Sequence, residues 1–170
     1  MKKTILSMTL IVSVLSAMKV SAQTSATATA NASATVVTPI AITTGNNLSF
    51  GLVAPSAAAG TVVLGTDGSR NFTGGASQLP GTGTVSVATF NVTGEPNYNY
   101  AITLPTSVTL TNGGGQNLVV DNFVSNPNGT GLLTAGAQTL LVGGTLELVA
   151  NANPGSYSTV TPFSVTVNYN

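Results

Sequence analysis

The sequence predicts an all-β protein, an antiparallel immunoglobulin-like β-sandwich of about nine short strands. Three observations carry that expectation. Apolar residues recur at every second position and never along a helical stripe. Gly, Pro, Asn and Asp gather into turn signals at intervals of about ten residues. Thr and Val, which suit a pleated, half-buried surface, fill the stretches between. A small β-barrel is the alternative architecture, because short alternating strands serve both.

The first segment, residues 1–22, reads as a secretory signal peptide. Met1-Lys2-Lys3 is a positive n-region, Thr4 to Met18 is a nearly continuous apolar run, and Val20-Ser21-Ala22 offers small residues for cleavage after Ala22. The run is shorter than the roughly 20 residues a membrane-spanning helix needs, and Lys19 interrupts its end, so no membrane insertion of the mature chain is expected.

Residues 23–37 form a second segment in which Ala26, Ala28, Ala30, Ala32 and Ala34 alternate with Thr, Asn or Ser, and Val36 extends the series. A period of two and the β-branched Thr residues oppose a helix despite alanine's propensity. Three readings stay open. The segment is a strand donated to another subunit, where main-chain hydrogen bonds and alternate side chains serve an exposed edge; it is an ordinary first strand of its own domain; or it is a solvated Ala/Thr/Ser spacer.

Residues 38–170 are the sandwich domain. Alternation marks Leu48, Phe50 and Leu52; Val62 and Leu64, with Phe72 beyond a turn; Val85 and Val87; and Phe90 and Val92. It continues through Tyr98, Tyr100, Ile102 and Leu104; Val108 and Leu110; Leu146 and Leu148; and Phe163, Val165, Val167 and Tyr169. Turn residues separate these runs at Asp67-Gly68, Gly74-Gly75, Gly94-Glu95-Pro96-Asn97, Asn112 to Gly115, Asn126 to Gly129, Gly143-Gly144 and Asn153-Pro154-Gly155. The change of register between Val87 and Phe90 reads as a β-bulge.

Charge and composition narrow the chemistry. Lys2, Lys3 and Lys19 leave with the signal, so Arg70 alone faces Asp67, Glu95, Asp121 and Glu147, a net charge of −3. One cation cannot build the basic footprint of a nucleic-acid binder or of a membrane-surface helix. Residues 23–170 contain no Met, Cys, His, Trp or Lys. There is no disulfide framework, no Ser-His or Cys-His pair, no His or Cys ligand set for zinc and no amine for a Schiff base. No catalytic, cofactor-binding or metal-binding residue is assigned, and no enzyme activity is expected. Glu95 and Glu147 are the pair that could flank a glycosidic bond as acid and base, but carboxylates in turns and on strand exteriors are ordinarily solvated surface. Asp121-Asn122 lacks the spaced acidic loop of a calcium site. Leu79-Pro80-Gly81-Thr82-Gly83 matches a wall-sorting motif in letters only, without the apolar segment and basic tail that must follow, and reads as a loop.

From Ala34 onward the runs TVVTPIAIT, LSFG, FNVTGEPNYNYAITLP, TLLVGGTLELVANANPGSYS and PFSVTVNYN resemble the bacterial secreted proteins grouped as domain-of-unknown-function family 4402 (DUF4402). At a looser level these proteins are similar to fimbrial and spore-coat-like subunits exported through chaperone and usher systems. That likeness implies an incomplete immunoglobulin-like fold completed by an N-terminal extension from a neighbouring subunit. It also implies a periplasmic chaperone pairing with the edge of the last strand, where Val165, Val167 and Tyr169 alternate. The functional expectation is a secreted structural subunit of a bacterial surface fibre or coat, passing through the periplasm to the cell surface and associating with itself or related subunits. The assembly residues would be the five alanines, Val36, Val165, Val167 and Tyr169. The alternative is an extracellular binding module, an adhesin for carbohydrate or matrix, with Tyr157 as its one loop aromatic.

Overall fold

The computed structural model describes residues 24–170, and the signal peptide read in residues 1–22 lies outside them. The chain divides into two units at Thr35/Val36. In the first, residues 24–35 carry neither helix nor strand and are exposed.

The second unit, Val36–Asn170, is all-β and antiparallel. Its strands are β1 (Ala41–Thr44), β2 (Ser49–Phe50), β3 (Val53–Ala54), β4 (Gly60–Leu64), β5 (Arg70–Gly74), β6 (Ser77–Gln78), β7 (Val85–Ser86) and β8 (Ala88–Thr93). There follow β9 (Asn99–Thr103), β10 (Ser107–Thr111), β11 (Asn117–Asn126), β12 (Thr130–Leu132), β13 (Ala137–Leu148), β14 (Ser158–Thr159) and β15 (Thr166–Tyr169). The main, curled sheet runs β1-β8-β13-β11-β10-β14, with β4 and then β5 branching from β13. A second sheet, β12-β9-β15, faces part of it.

The long strand β13 organises the sheet by dividing one edge between two partners. Its first half, Ala137–Val142, pairs with β8, and its second half, Gly144–Leu148, pairs with β4. Gly143 sits at the junction, where any side chain would run into the Leu64 carbonyl. Gly143-Gly144 is therefore strand interior and not the turn its composition suggests; glycine is needed there for close backbone approach. The only register shift in the β11/β13 ladder lies opposite, between Asp121 and Val124, with Asn122 at φ 45°. A bulge at that level adds twist where the sheet passes from one partner strand to the other. The bulge expected between Val87 and Phe90 is instead a change of partner, because β7 pairs with β2 while β8 pairs with β13 and β1.

The other turn signals fall where composition puts them. Asp67-Gly68 closes the β4/β5 hairpin, with the Ser69 N–H and hydroxyl both donating to Asp67 Oδ1. Asn112 to Gly115 closes β10/β11, and the loop at Leu79–Gly83 is a loop.

Two apolar clusters fill the interior. Phe90, Val92, Tyr100, Leu133, Leu140 and Val142 pack between the main sheet and the β12-β9-β15 sheet, a complete two-layer arrangement. Val62, Leu64, Leu118, Val120, Leu146 and Leu148 line the other half of the main sheet. That half has no continuous facing sheet among the described residues. Its cover is the two-residue pairings β2/β7 and β3/β6 and the connection after β13. Phe123 and Phe163 meet at the seam, their ring centroids 5.1 Å apart.

Candidate assembly site

At one end of β13 the start of the body is tied down by three residues far apart in sequence. The Thr38 N–H donates to Glu95 Oε2 at 2.8 Å, and the Tyr169 hydroxyl donates to the Thr38 carbonyl at 2.7 Å. The same hydroxyl accepts the Glu95 N–H at 2.6 Å. Glu95 is placed by the turn after β8, which Asn97 enters at φ 64° and which the Asn97 N–H fastens to the Leu133 carbonyl at 2.8 Å. Tyr169 lies at the end of β15, edge-on to Tyr98 at 5.7 Å. Gly94 leaves room for the Tyr169 hydroxyl, which a methyl group at this position would strike. The hydrogen bonds from Thr38, its backbone N–H first, hold the Glu95 carboxyl below the usual glutamate range. Nearby, the Tyr100 hydroxyl donates to Gln138 Oε1 at 2.9 Å, and burial pushes its pKa up.

At the other end of β13 lies a groove of about 960 Å³. Its floor is the inward face of β10, β11 and β13, including Val108, Leu118, Val120, Leu146 and Leu148, and it extends to Phe90. Its floor is nearly buried, with Val120 1 % and Leu148 6 % exposed, because the segments that cross it pack against that face. Two straps wall it. Residues 46–55 are pinned by Arg70, whose Nη1 donates to the Phe50 carbonyl at 2.7 Å and the Leu52 carbonyl at 3.2 Å. Residues 152–159 are pinned by Gln116 Oε1, which accepts the Tyr157 hydroxyl at 2.6 Å and the Asn153 N–H. No charged residue lines the groove.

The expected assembly residues are distributed as follows. Ala26, Ala28, Ala30, Ala32 and Ala34 are exposed and lie in no strand, and Val36 is 94 % exposed. An ordinary first strand inside the domain is thus not what residues 24–37 form here. Among the described residues β15 is an edge strand paired with β9 alone; Val167 is buried in the core and Tyr169 is half-buried in the Thr38 clamp. Val165 is half-buried just before the strand begins.

The carboxylates do not gather as the glycosidase reading requires. Glu95 follows Thr93, which pairs with Ala137, whereas Glu147 lies ten residues further along β13, about 30 Å away at the usual strand rise. The paired carboxyls of such enzymes stand roughly 5–10 Å apart. Asp121 and Glu147 become neighbours instead, since Val119 pairs with Glu147 and Asp121 with Thr145. They occupy the outward face of the sheet, not a cleft. Asp121 Oδ1 accepts a hydrogen bond from Asn122 Nδ2.

Sequence reasoning missed both the Thr38–Glu95–Tyr169 clamp and the groove. The clamp has one trace in the sequence: the runs FNVTGEPNYNYAITLP and PFSVTVNYN, which carry the family resemblance, contain Glu95 and Tyr169. No curated protein matches the chain. The DUF4402 family model, described as a domain of unknown function, matches residues 40–169, which include Glu95 and Tyr169 of the clamp and begin two residues after Thr38. By that match, which spans nearly all of the β-rich body, the chain belongs to the DUF4402 family.

Proposed function

We propose that this protein is an exported structural subunit of a bacterial surface fibre or coat, joined to further copies by strand pairing. The observation that carries this reading is the segment before the clamp. Residues 24–37 hold no charge, alternate alanine with small polar residues, and form no strand in their own chain. An alternating segment of this kind has main-chain donors and acceptors to offer and methyl groups to bury, which is the chemistry of β-augmentation. The clamp at Thr38 gives such a segment a fixed root, so that tension on it would pass into the body through Glu95 and Tyr169. The absence of Met, Cys, His, Trp and Lys from residues 23–170 leaves few oxidation-prone or amine-reactive side chains, which suits a durable extracellular object.

The test is the size distribution of the purified protein. The chain retaining residues 24–37 is expected to form multimers that persist in SDS without boiling, and a chain beginning at Thr38 is expected to remain unassembled. A monomer at every concentration from the longer chain overturns the proposal.

A further inference from the structure

We infer that Asn128-Gly129 is a self-modification site, where the folded protein loses the Asn128 side-chain amide as ammonia and leaves aspartate or isoaspartate in the loop between β11 and β12. The chain's other Asn-Gly pair, Asn112-Gly113, is held against the same reaction. The inference is independent of how copies of the chain join.

The chemistry needs water and no enzyme. The Gly129 main-chain nitrogen gives its proton to solvent base and attacks Asn128 Cγ. A new C–N bond closes a cyclic imide while the Cγ–Nδ2 bond breaks, and Nδ2 leaves, protonated by solvent, as ammonia. One water then opens the ring. Addition at Cγ gives aspartate; addition at the main-chain carbonyl gives isoaspartate, in which the main chain runs through the former side chain and is one carbon longer. Glycine after the asparagine admits this ring because it has no Cβ to crowd the attacking nitrogen.

Three observations separate the two pairs. The first is the nucleophile. The Gly113 N–H is occupied, donating to Thr111 Oγ1 at 3.2 Å, whereas the Gly129 N–H has no acceptor among the described residues. The second is the amide. Asn112 is half-buried, its Oδ1 accepting the Gly114 N–H at 2.8 Å and its Nδ2 donating to the Tyr157 hydroxyl at 3.2 Å. Asn128 is exposed, and its side chain makes no hydrogen bond among the described residues. A Cβ built on Gly129 meets nothing within 4 Å, so the ring has open space in which to close.

The third observation favours the reaction itself. When the Gly129 nitrogen loses its proton, the negative charge spreads onto the Asn128 main-chain oxygen, which belongs to the same peptide group. That oxygen accepts the Thr130 N–H at 2.7 Å, in a tight turn with Gly129 at φ 70°. A hydrogen bond of this kind strengthens as its acceptor gains charge, so it stabilises the attacking form.

The product alters the fold locally. A carboxylate replaces a neutral amide in a body whose net charge is −3. Isoaspartate also lengthens the main chain immediately before the Gly129 carbonyl, which accepts the Ile102 N–H at 2.9 Å, and before Thr130, where β12 starts to pair with Ala101 of β9. The edge strand β12 is therefore the element that loosens.

The test holds purified wild-type protein at mildly alkaline pH, folded or unfolded in denaturant, and follows both asparagines by peptide mass spectrometry. In the folded protein Asn128 is expected to convert at least about tenfold faster than Asn112, which must first give up three hydrogen bonds. In denaturant the two rates should come close together, and Asn128 should convert no faster there than in the folded protein. Equal rates in the folded protein, faster loss at Asn112, or an Asn128 rate that folding slows overturns the inference. A preference for Asn128 that persists undiminished in denaturant overturns the hydrogen bonds as its cause. Aged wild-type protein is further expected to exchange its Ile102 and Thr130 amides faster than fresh protein, and Asn128→Gln protein aged alongside is expected not to change. Unaltered exchange in the isoaspartate-bearing fraction overturns the loosening of β12.

Discussion

Tyr169 joins three parts of the chain through a single hydroxyl, accepting from the Glu95 N–H and donating to the Thr38 carbonyl. Replacing Tyr169 with Phe keeps the edge contact with Tyr98 and removes both hydrogen bonds. The expected loss is about 1–2 kcal/mol, with faster amide exchange around Thr38 as the local sign. Glu95 supplies the pH-sensitive half of the clamp. Its folded-state pKa is depressed, so its contribution is present above the unfolded glutamate value and is lost as pH falls through the lower folded value. A titration followed at the Thr38 amide resonance is expected to show a midpoint below the ordinary glutamate range. The Glu95→Gln variant should show no such midpoint. A midpoint at or above the ordinary value would mean that the Thr38 contact does not hold in solution.

Among the elements, β13 places the sharpest demands on its residues, and its two adjacent glycines face different surroundings. A Cβ on Gly143 would meet the Leu64 carbonyl, which is backbone and cannot swing aside. A Cβ on Gly144 has its closest neighbours at 3.3 Å, two of them side-chain atoms of Phe123 and Val120. Gly143→Ala is therefore expected to cost at least about 2 kcal/mol, and Gly144→Ala less than about 1 kcal/mol. Thermal melts of the two variants check this, and equal losses would refute the strand junction. The β4/β5 hairpin offers a second test. Arg70 is the only Lys or Arg after Lys19, and it is paired with Leu64 while its guanidinium donates to the Phe50 and Leu52 carbonyls. Native protein should resist trypsin at this bond, because cleavage requires local opening of the hairpin. Rapid cutting after Arg70 would show that the latch over the groove is loose.

For the whole molecule, the absence of histidine sets the pH response. No side chain has an unperturbed pKa between pH 5 and 8, and the carboxyls of Asp67 and Glu95 are held below their usual range, away from that window. The melting temperature is expected to be nearly flat from pH 5 to 8 and to fall only in acid, as the stability contributed by depressed carboxyls disappears. A steep change near neutrality would overturn this expectation and point to a strongly raised carboxyl. The two halves of the body should also differ. Amides of β8, β9 and the first half of β13, between two sheets, should exchange more slowly than those of β2, β3, β6 and β7, which are held by two-residue pairings.

Local pattern made much of this protein legible before its structure. The period of two predicted strands because side chains on a pleated backbone alternate faces, and Val62, Leu64, Phe90, Val92, Tyr100 and Val167 are indeed buried. Turn chemistry placed the Asp67-Gly68 and Asn112–Gly115 hairpins for equally local reasons. By itself the sequence also determined the charge balance, the lack of triad and thiol chemistry, and the resemblance to DUF4402. Other features were out of reach because they depend on which strands become neighbours. Leu118-Val119-Val120 breaks the alternation, so no period of two marks β11, and only its pairing with β10 and β13 gives each residue a face. Gly143-Gly144 carries the composition of a turn, and only the approach of Leu64 explains why glycine stands inside a strand. The clamp joins residues 57, 74 and 131 positions apart, and no local period encodes such separations. The groove exists because one half of the main sheet receives a facing sheet and the other only straps, an outcome of topology that tertiary structure alone decided.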